Sequence, residues 1–153
     1  MILYLGDINS NVSPEYMTIG GTVYLQIGDA DFPEENWYDR VDLIFAHWIA
    51  ELHSFYRGNT DSCQLMFWDG PCYARLKRSA DCIVTVQCHY DQKTVIGETV
   101  VDLDCFIGSV MKAGNRYLRL LHLQGISDTD VRDALRKLRE EFRAAGDVGP
   151  YNE

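Results

Sequence analysis

The chain of 153 residues lacks long apolar runs. No run reaches the roughly 18 apolar residues of a membrane-spanning helix. The first residues show neither the basic region nor the small-residue cleavage site of a signal peptide. With 46% apolar and 24% charged residues, the composition is that of a globular protein. We therefore expect a cytoplasmic protein with no membrane partner, a single domain over residues 1–146 and a flexible C-terminal tail over residues 147–153.

The cysteines also lack the pattern of a metal site or a disulfide framework. Their number is odd and no Cys-x-x-Cys pair occurs. Structural zinc sites need short-spaced ligand pairs, and disulfide-rich domains carry even numbers of cysteines. We therefore expect no metal, no cofactor, and five buried, reduced thiols. The five are Cys63, Cys72, Cys82, Cys88 and Cys105.

Motifs of catalysis are missing as well. No phosphate-binding, dinucleotide-binding, metalloprotease or nucleophile-elbow pattern occurs. His47 and His53 are six residues apart, so they do not share a helix face. Cys88 and His89 are neighbours in a predicted strand and point to opposite faces. We therefore expect no catalytic residues and no enzyme, with a carboxylate- or Cys/His-dependent hydrolase as the alternative.

Positive charge is scarce in the first part of the chain. The net charge is −9; residues 1–61 hold ten acids and two bases (−8), and residues 62–153 hold thirteen acids and twelve bases (−1). Nucleic-acid binding needs a basic face, so this balance argues against a nucleic-acid partner. An acidic surface accelerates the approach of a basic protein, although it also serves solubility alone.

Apolar periodicity in the first part of the chain predicts two strands and a helix. The strands are expected at residues 2–5 and 22–27, with residues 9–14 as a loop and Gly20-Gly21 as a turn. An apolar stripe at three- and four-residue spacing predicts a helix over residues 37–57. Asn36 or Asp39 would cap this helix.

The remaining residues predict a sheet followed by two helices. Alternating segments at 63–68, 72–77, 82–90 and 94–101 are typical of an antiparallel meander. Asp102 would cap the second helix, and Ser127 with Asp130 would cap the third, which ends at Gly146. Because each helix has one apolar stripe, we expect an α+β fold with three helices mostly on one face of an antiparallel β-sheet.

Acidic and aromatic residues cluster before the first predicted helix and in one turn of the sheet. Aromatic anchors inside a polar rim are typical of protein interfaces. The structural alternative is that the acids cap and orient the helix while the tryptophans cover the core. The candidate partner-binding residues are Asp29, Asp31, Glu34, Glu35, Trp37, Tyr38, Asp39, Asp42, Trp68 and Asp69.

Two segments of this cluster carry a resemblance. They are IGDADFPEENWYD at residues 27–39 and FWDGPCY at residues 67–73. In order and spacing they resemble immunity proteins of bacterial contact-dependent growth-inhibition systems, which accompany polymorphic toxins. The similarity covers most of residues 23–125; residues 1–21 and the cysteine-rich sheet depart from the pattern. It implies a cytoplasmic toxin inhibitor that binds its cognate toxin domain, a basic nuclease, in a stoichiometric complex.

An exposed sheet face would favour a third interpretation. Met66, Trp68, Tyr73 and Ile83 are expected on the outward side of the meander, where they could pair across a two-fold axis. The chain would then be a self-associating structural domain. We accordingly expect either a monomer or a weak homodimer.

Overall fold

The computed structural model describes residues 1–13 and 15–146. Within these ranges the chain forms two antiparallel sheets and three helices, which confirms the α+β class. No helix in this part of the chain is long and apolar enough to cross a bilayer. The tail expected at residues 147–153 lies outside the described residues.

The first sheet is built around one central strand. Its strands are β1 (Ile2–Val12), β2 (Met17–Ile27), β3 (Ala30–Phe32) and β4 (Tyr38–Arg40). β1 pairs antiparallel with β2, and both β3 and β4 pair antiparallel with β2. The short strands β3 and β4 therefore bring the acidic segment before the first helix into this sheet.

Two expectations for this sheet were wrong. Residues 9–12, expected in a loop, belong to β1, and Gly20 and Gly21, expected in a turn, lie within β2. A β-carbon on Gly20 would collide with the ring of Tyr38, and one on Gly21 would lie 2.6 Å from the carbonyl oxygen of Asp7. Glycine is required here because neighbouring groups approach the strand closely, which is its usual role inside a strand.

The second sheet is the predicted meander. Its strands are β5 (Ser62–Met66), β6 (Cys72–Arg78), β7 (Ile83–Tyr90) and β8 (Lys93–Asp102), paired antiparallel in this order. In β8 only Val101 is buried, so the alternation expected for residues 94–101 is not found there. In β5, β6 and β7 the alternation follows the prediction, because the inward side chains are buried. They include Cys63, Leu65, Ala74, Leu76, Val84 and Val86.

The three helices share one core with both sheets. They are α1 (Val41–Tyr56), α2 (Leu103–Leu123) and α3 (Thr129–Gly146). α1 contacts β2 and β5, α2 packs against β1, and α3 packs against α1 and α2. The helices therefore connect two sheets rather than covering one. The largest fully buried side chains include Trp48, Tyr117, Phe45, Phe55 and Phe106.

The helix starts test the predicted caps. Asp102 caps α2 as expected, with its carboxylate accepting a hydrogen bond from the Cys105 N–H at 2.8 Å. α3 is capped by Asp128 rather than Ser127, because the Asp128 carboxylate accepts from the Val131 N–H at 3.1 Å. The same carboxylate accepts from the Tyr117 hydroxyl at 2.8 Å, which ties α3 to α2.

The first helix begins later than expected, at Val41 instead of Trp37. Asn36 has a φ of 61° and lies in the left-handed region, so it does not cap the helix. Asp39, the other expected cap, lies in β4. The residue before α1 is Arg40, and no side chain caps the helix there.

Close packing of α2 on α3 depends on Gly114. A β-carbon at this position would lie 2.8 and 2.9 Å from the two methyl carbons of the buried Leu135. Gly108, in the same helix, has no neighbour within 4 Å of such a β-carbon. Alanine substitutions at these two glycines therefore separate the effect of helix propensity on stability from the effect of packing.

We expect Gly108→Ala to raise the free energy of unfolding by up to about 1 kcal/mol, because alanine favours the helix. Gly114→Ala should be less stable than Gly108→Ala by about 1–3 kcal/mol, the usual range for overpacking. Urea unfolding of both variants and the parent measures this difference. Equal stability of the two variants would show that Gly114 does not set the contact between the helices.

Candidate partner-binding site

The carboxylate of Asp39 is buried where β4 meets the turn that follows β5. Asp39 is only 2% exposed. One carboxylate oxygen accepts from the indole N–H of Trp37 at 3.0 Å and from the Trp68 N–H at 2.9 Å. The other accepts from the N–H groups of Arg40 at 2.6 Å and Asp69 at 3.1 Å. Four N–H donors thus compensate a buried charge, and each such bond is of the strong, charge-assisted kind. Asp39 was expected on the partner-binding surface, but its enclosed carboxylate is not accessible to a partner.

The two tryptophans beside Asp39 differ in exposure. Trp37 is half-buried, and its ring packs edge-on against Phe67 with 6.5 Å between centroids. Trp68 is 41% exposed and packs edge-on against the His47 ring at 5.3 Å. Trp37 therefore follows the structural alternative and covers the edge of the core, whereas Trp68 stays accessible to a partner.

Asp42 contributes little to the surplus negative charge. Its carboxylate forms two bonds to the Arg40 guanidinium, at 2.9 Å from Nε and 2.7 Å from a terminal nitrogen. The hydrogen bond to Asp42 raises the pKa of Arg40. Because the pair neutralises both groups at the start of α1, Asp42 serves the structure of the helix start rather than a free acidic surface.

Four acids of the cluster surround β3. Asp29, Glu34 and Glu35 are exposed and Asp31 is half-buried. Asp69 is also exposed, but it lies in the turn between β5 and β6. The exposed acids of the candidate site are therefore centred on residues 29–35, and this negative surface is smaller than the acidic sequence predicts.

Tyrosines line the outer face of the first sheet. Tyr4 pairs in register with Tyr24, and their rings stack with 4.7 Å between centroids. Tyr38 pairs with Thr22, two residues from Tyr24, so it lies on the same face. Its ring lies across Gly20. Tyr4 is 41% and Tyr38 52% exposed, so both present large rings to solvent.

Two acids adjoin these tyrosines. Asp31 pairs with Gln26, which shares the face of Tyr24. Burial, and then the charges of Asp31 and Glu35 among others, raise the pKa of Tyr24. We name Tyr4, Tyr24, Tyr38, Asp31 and Glu35 the tyrosine face. Sequence reasoning selected Tyr38 and both acids but missed Tyr4 and Tyr24, since strand pairing is not visible in the sequence.

Three of the cysteines are buried and unreactive by environment. Burial raises the pKa of Cys63 to about 12, of Cys72 to about 11 and of Cys88 to about 12. A nucleophilic cysteine needs a lowered pKa, because the thiolate is the reactive form. The raised values therefore weigh against a cysteine hydrolase.

Cys82 and Cys105 are exposed, contrary to the expected burial of all five thiols. Partial desolvation and then the charge of Asp104 raise the pKa of Cys82. A hydrogen bond to Asp102 raises the pKa of Cys105. The pKa of each accessible thiol is therefore raised, as it is for the buried ones.

His89 lies opposite to Cys88 as expected, in register with Tyr73, but it is not open to solvent there. It is buried, and its ring stacks on Tyr73 with 4.7 Å between centroids. Its Nδ1 lies 3.4 Å from the Thr94 hydroxyl. Across residues 1–13 and 15–146, no three His, Cys, Asp or Glu side chains converge to hold a metal ion.

Comparison of the chain with protein-family models, curated proteins and solved structures finds no match in any of the three.

We expect Asp39→Asn to lower the free energy of unfolding by about 3–5 kcal/mol, because an amide nitrogen would face N–H donors in a buried site. Asp69→Asn makes the same charge change on an exposed side chain and should alter stability by less than about 0.5 kcal/mol. Chemical denaturation followed by tryptophan fluorescence measures both. A loss of under about 1 kcal/mol for Asp39→Asn would contradict the anchoring role.

The cysteine environments predict two classes of thiol. In the native protein at pH 8, iodoacetamide should alkylate Cys82 and Cys105 more slowly than free cysteine, because their pKa values are raised. Cys63, Cys72 and Cys88 should react only on unfolding. Mass spectrometry of timed samples identifies the modified positions. Any cysteine that reacts faster than the free amino acid would revive the hydrolase alternative.

Proposed function

We propose that this protein binds a cationic protein through the tyrosine face and acts as an immunity protein that neutralises a toxin. The observation that carries the proposal is the pair of exposed tyrosines, Tyr4 and Tyr38, beside the acids of residues 29–35. Aromatic rings at the centre of a surface with charged groups at its rim have the anatomy of a protein interface.

The aromatic part of this surface supports tight association. Tyrosine is enriched among the residues that dominate binding energy, since it covers a large apolar area and keeps a polar hydroxyl. The Tyr4–Tyr24 stack and the seat of Tyr38 on Gly20 hold the rings in place before a partner arrives. Preorganised side chains lose less conformational entropy on binding.

The acidic part supports a cationic partner. The acids of residues 29–35 lie at the end of the tyrosine face where β3 pairs with β2. Charges at a rim chiefly steer the encounter and select the partner, with smaller effects on the lifetime of the complex. A nuclease toxin would be basic because its substrate is anionic, so an acidic inhibitor surface complements it.

The resemblance to immunity proteins falls on the same part of the fold. Residues 27–39 supply β3, Asp31, Glu35 and Tyr38, and also the buried carboxylate of Asp39. This segment therefore supplies three of the five residues of the tyrosine face, together with the buried carboxylate of Asp39. The assignment of toxin neutralisation, as distinct from partner binding in general, rests on this resemblance.

Self-association is supported by a different observation. Met66 is 45% and Trp68 41% exposed at one end of the second sheet. A second copy could cover these side chains across a two-fold axis. Light scattering over a range of concentrations measures the oligomeric state. A dimer that Trp68→Ser dissociates would support self-association, and a monomer at all concentrations would exclude it.

Tyr38→Ala should weaken the complex about 30-fold or more, the equivalent of a hot-spot loss of about 2 kcal/mol. Tyr90→Ala removes a comparably exposed tyrosine, 48% accessible, from the second sheet and should leave affinity unchanged. The assay uses the protein that co-purifies with the tagged chain from its source cells or, failing that, the product of the adjacent gene. Biosensor binding measures the affinities.

Charge variants test the steering role in the same complex. Asp31→Asn with Glu35→Gln should slow association and flatten its salt dependence, whereas Asp81→Asn with Glu98→Gln on the second sheet should do neither. Co-expression with the partner should restore host growth only when Tyr38 is present. If no cationic protein co-purifies and the adjacent gene product neither binds nor harms growth, the proposal is rejected.

A further inference from the structure

A groove of about 620 Å³ runs between α2 and α3, and its charged lining is entirely basic. A second cavity of about 300 Å³ lies on the other side of α2 and shares three of these bases. The shared bases, Lys112, Arg116 and Arg119, follow a spacing of four and three residues, so they form one row on the helix. The row spans about 10 Å, longer than a single anionic group. The other two bases of the groove are Arg139 and Arg143.

The described part of the chain does not neutralise these bases. Within the described residues, none of the five forms an ion pair with a carboxylate. The nearby acids of α3 are already engaged, Glu140 with Arg136 at 3.5 Å and Glu141 with Arg57 at 3.8 Å. The Nε of Arg116 is enclosed yet has no hydrogen-bond partner in this part of the chain. Like charges held together without counter-charges favour a bound polyanion.

The groove offers hydrogen-bond donors almost exclusively. Lysine and arginine side chains carry no acceptor. The side-chain oxygen of Asn115, an acceptor in the lining, already receives a bond from Arg139 at 2.9 Å. A peptide would bring backbone N–H groups that need acceptors, whereas a phosphodiester backbone brings only acceptors. Arginine also matches the phosphate group with two parallel bonds.

Aromatic side chains stand at both sides of the basic row. Tyr4 lines the second cavity and is 41% exposed, and Phe142 lines the groove and is half-buried. Proteins hold single-stranded nucleic acid with a basic groove flanked by aromatic rings. The nucleobases stack on the rings, and the lysine and arginine side chains bind the phosphates.

We propose that the basic row of α2, with the groove toward α3, binds the phosphate backbone of single-stranded nucleic acid. The expectation that the chain has no nucleic-acid partner was argued from its net charge. The fold separates the charges, so a basic face exists although the total is −9. The proposal is independent of the toxin-binding function, because it uses a different set of side chains apart from Tyr4.

The test is fluorescence anisotropy with a labelled single-stranded oligonucleotide of about 12 nucleotides, titrated with the full chain at several salt concentrations. Binding should weaken linearly in a double-logarithmic plot, with a slope of about −0.7 for each phosphate contacted. Arg116→Gln with Arg119→Gln should reduce the magnitude of the slope by about 1.4 and weaken binding at least about tenfold. Thermal unfolding of this variant confirms that it is folded.

Lys77→Gln with Lys93→Gln is the matched control, because both lysines are exposed on the second sheet. This pair should leave affinity and slope unchanged. Tyr38→Ala should also leave binding unchanged, which distinguishes failure of this proposal from failure of the proposed function. The proposal is overturned if the oligonucleotide does not bind at low salt or the Arg116/Arg119 variant binds equally well. Stronger binding of a polyglutamate peptide or of inorganic tripolyphosphate would likewise overturn it.

Discussion

The position of the first sheet against the first turn of the second sheet depends on the buried carboxylate of Asp39. This side chain belongs to β4 of the first sheet, yet it accepts two of its four hydrogen bonds from the N–H groups of Trp68 and Asp69 in the second sheet's first turn. A buried charge without these donors would cost several kcal/mol, so the turn and the strand must lie together. Because neighbours in a strand point to opposite faces, fixing Asp39 inward also fixes Tyr38 outward on the tyrosine face.

The sequence predicts those elements in which the order of apolar and polar residues along the element itself shows which side chains are buried. Strands β5, β6 and β7 alternate and helix α2 repeats with one buried face, so periodicity locates them within a few residues. The first sheet is different. Gly20 and Gly21 carry the local signature of a turn, but Tyr38 and Asp7 fill the space where side chains would stand. The contacts that decide between turn and strand come from residues far along the chain, and tertiary contacts override local preference.

The candidate site shows the same limit. Asp29, Asp31, Glu35 and Tyr38 are exposed or half-buried at the surface as predicted, whereas Asp39 and Asp42, from the same acidic stretch, serve an internal anchor and an ion pair. Composition cannot separate these acids, since two of the four donors to Asp39 lie 29 and 30 residues away. The helical spacing of Lys112, Arg116 and Arg119 is visible in the sequence. The net charge of residues 62–153 is only −1, however, so net charge alone does not reveal this basic row.

The two proposed surfaces meet at Tyr4, and their charges constrain each other. Across the first sheet the surface runs from the acids around β3, over Tyr38, to Tyr4 on β1, whose ring covers the buried Tyr24 and beside which α2 presents its bases. Opposite charges act over about 8 Å at physiological salt, so each sign dominates only near its own end. A cationic protein centred on Tyr4 would be attracted at one side and repelled at the other. It would therefore dock toward β3 and rest on Tyr38 more than on Tyr4, whereas a nucleic-acid strand would follow α2. The two partners would compete for Tyr4, so both would bind together only where the cationic protein does not reach β1.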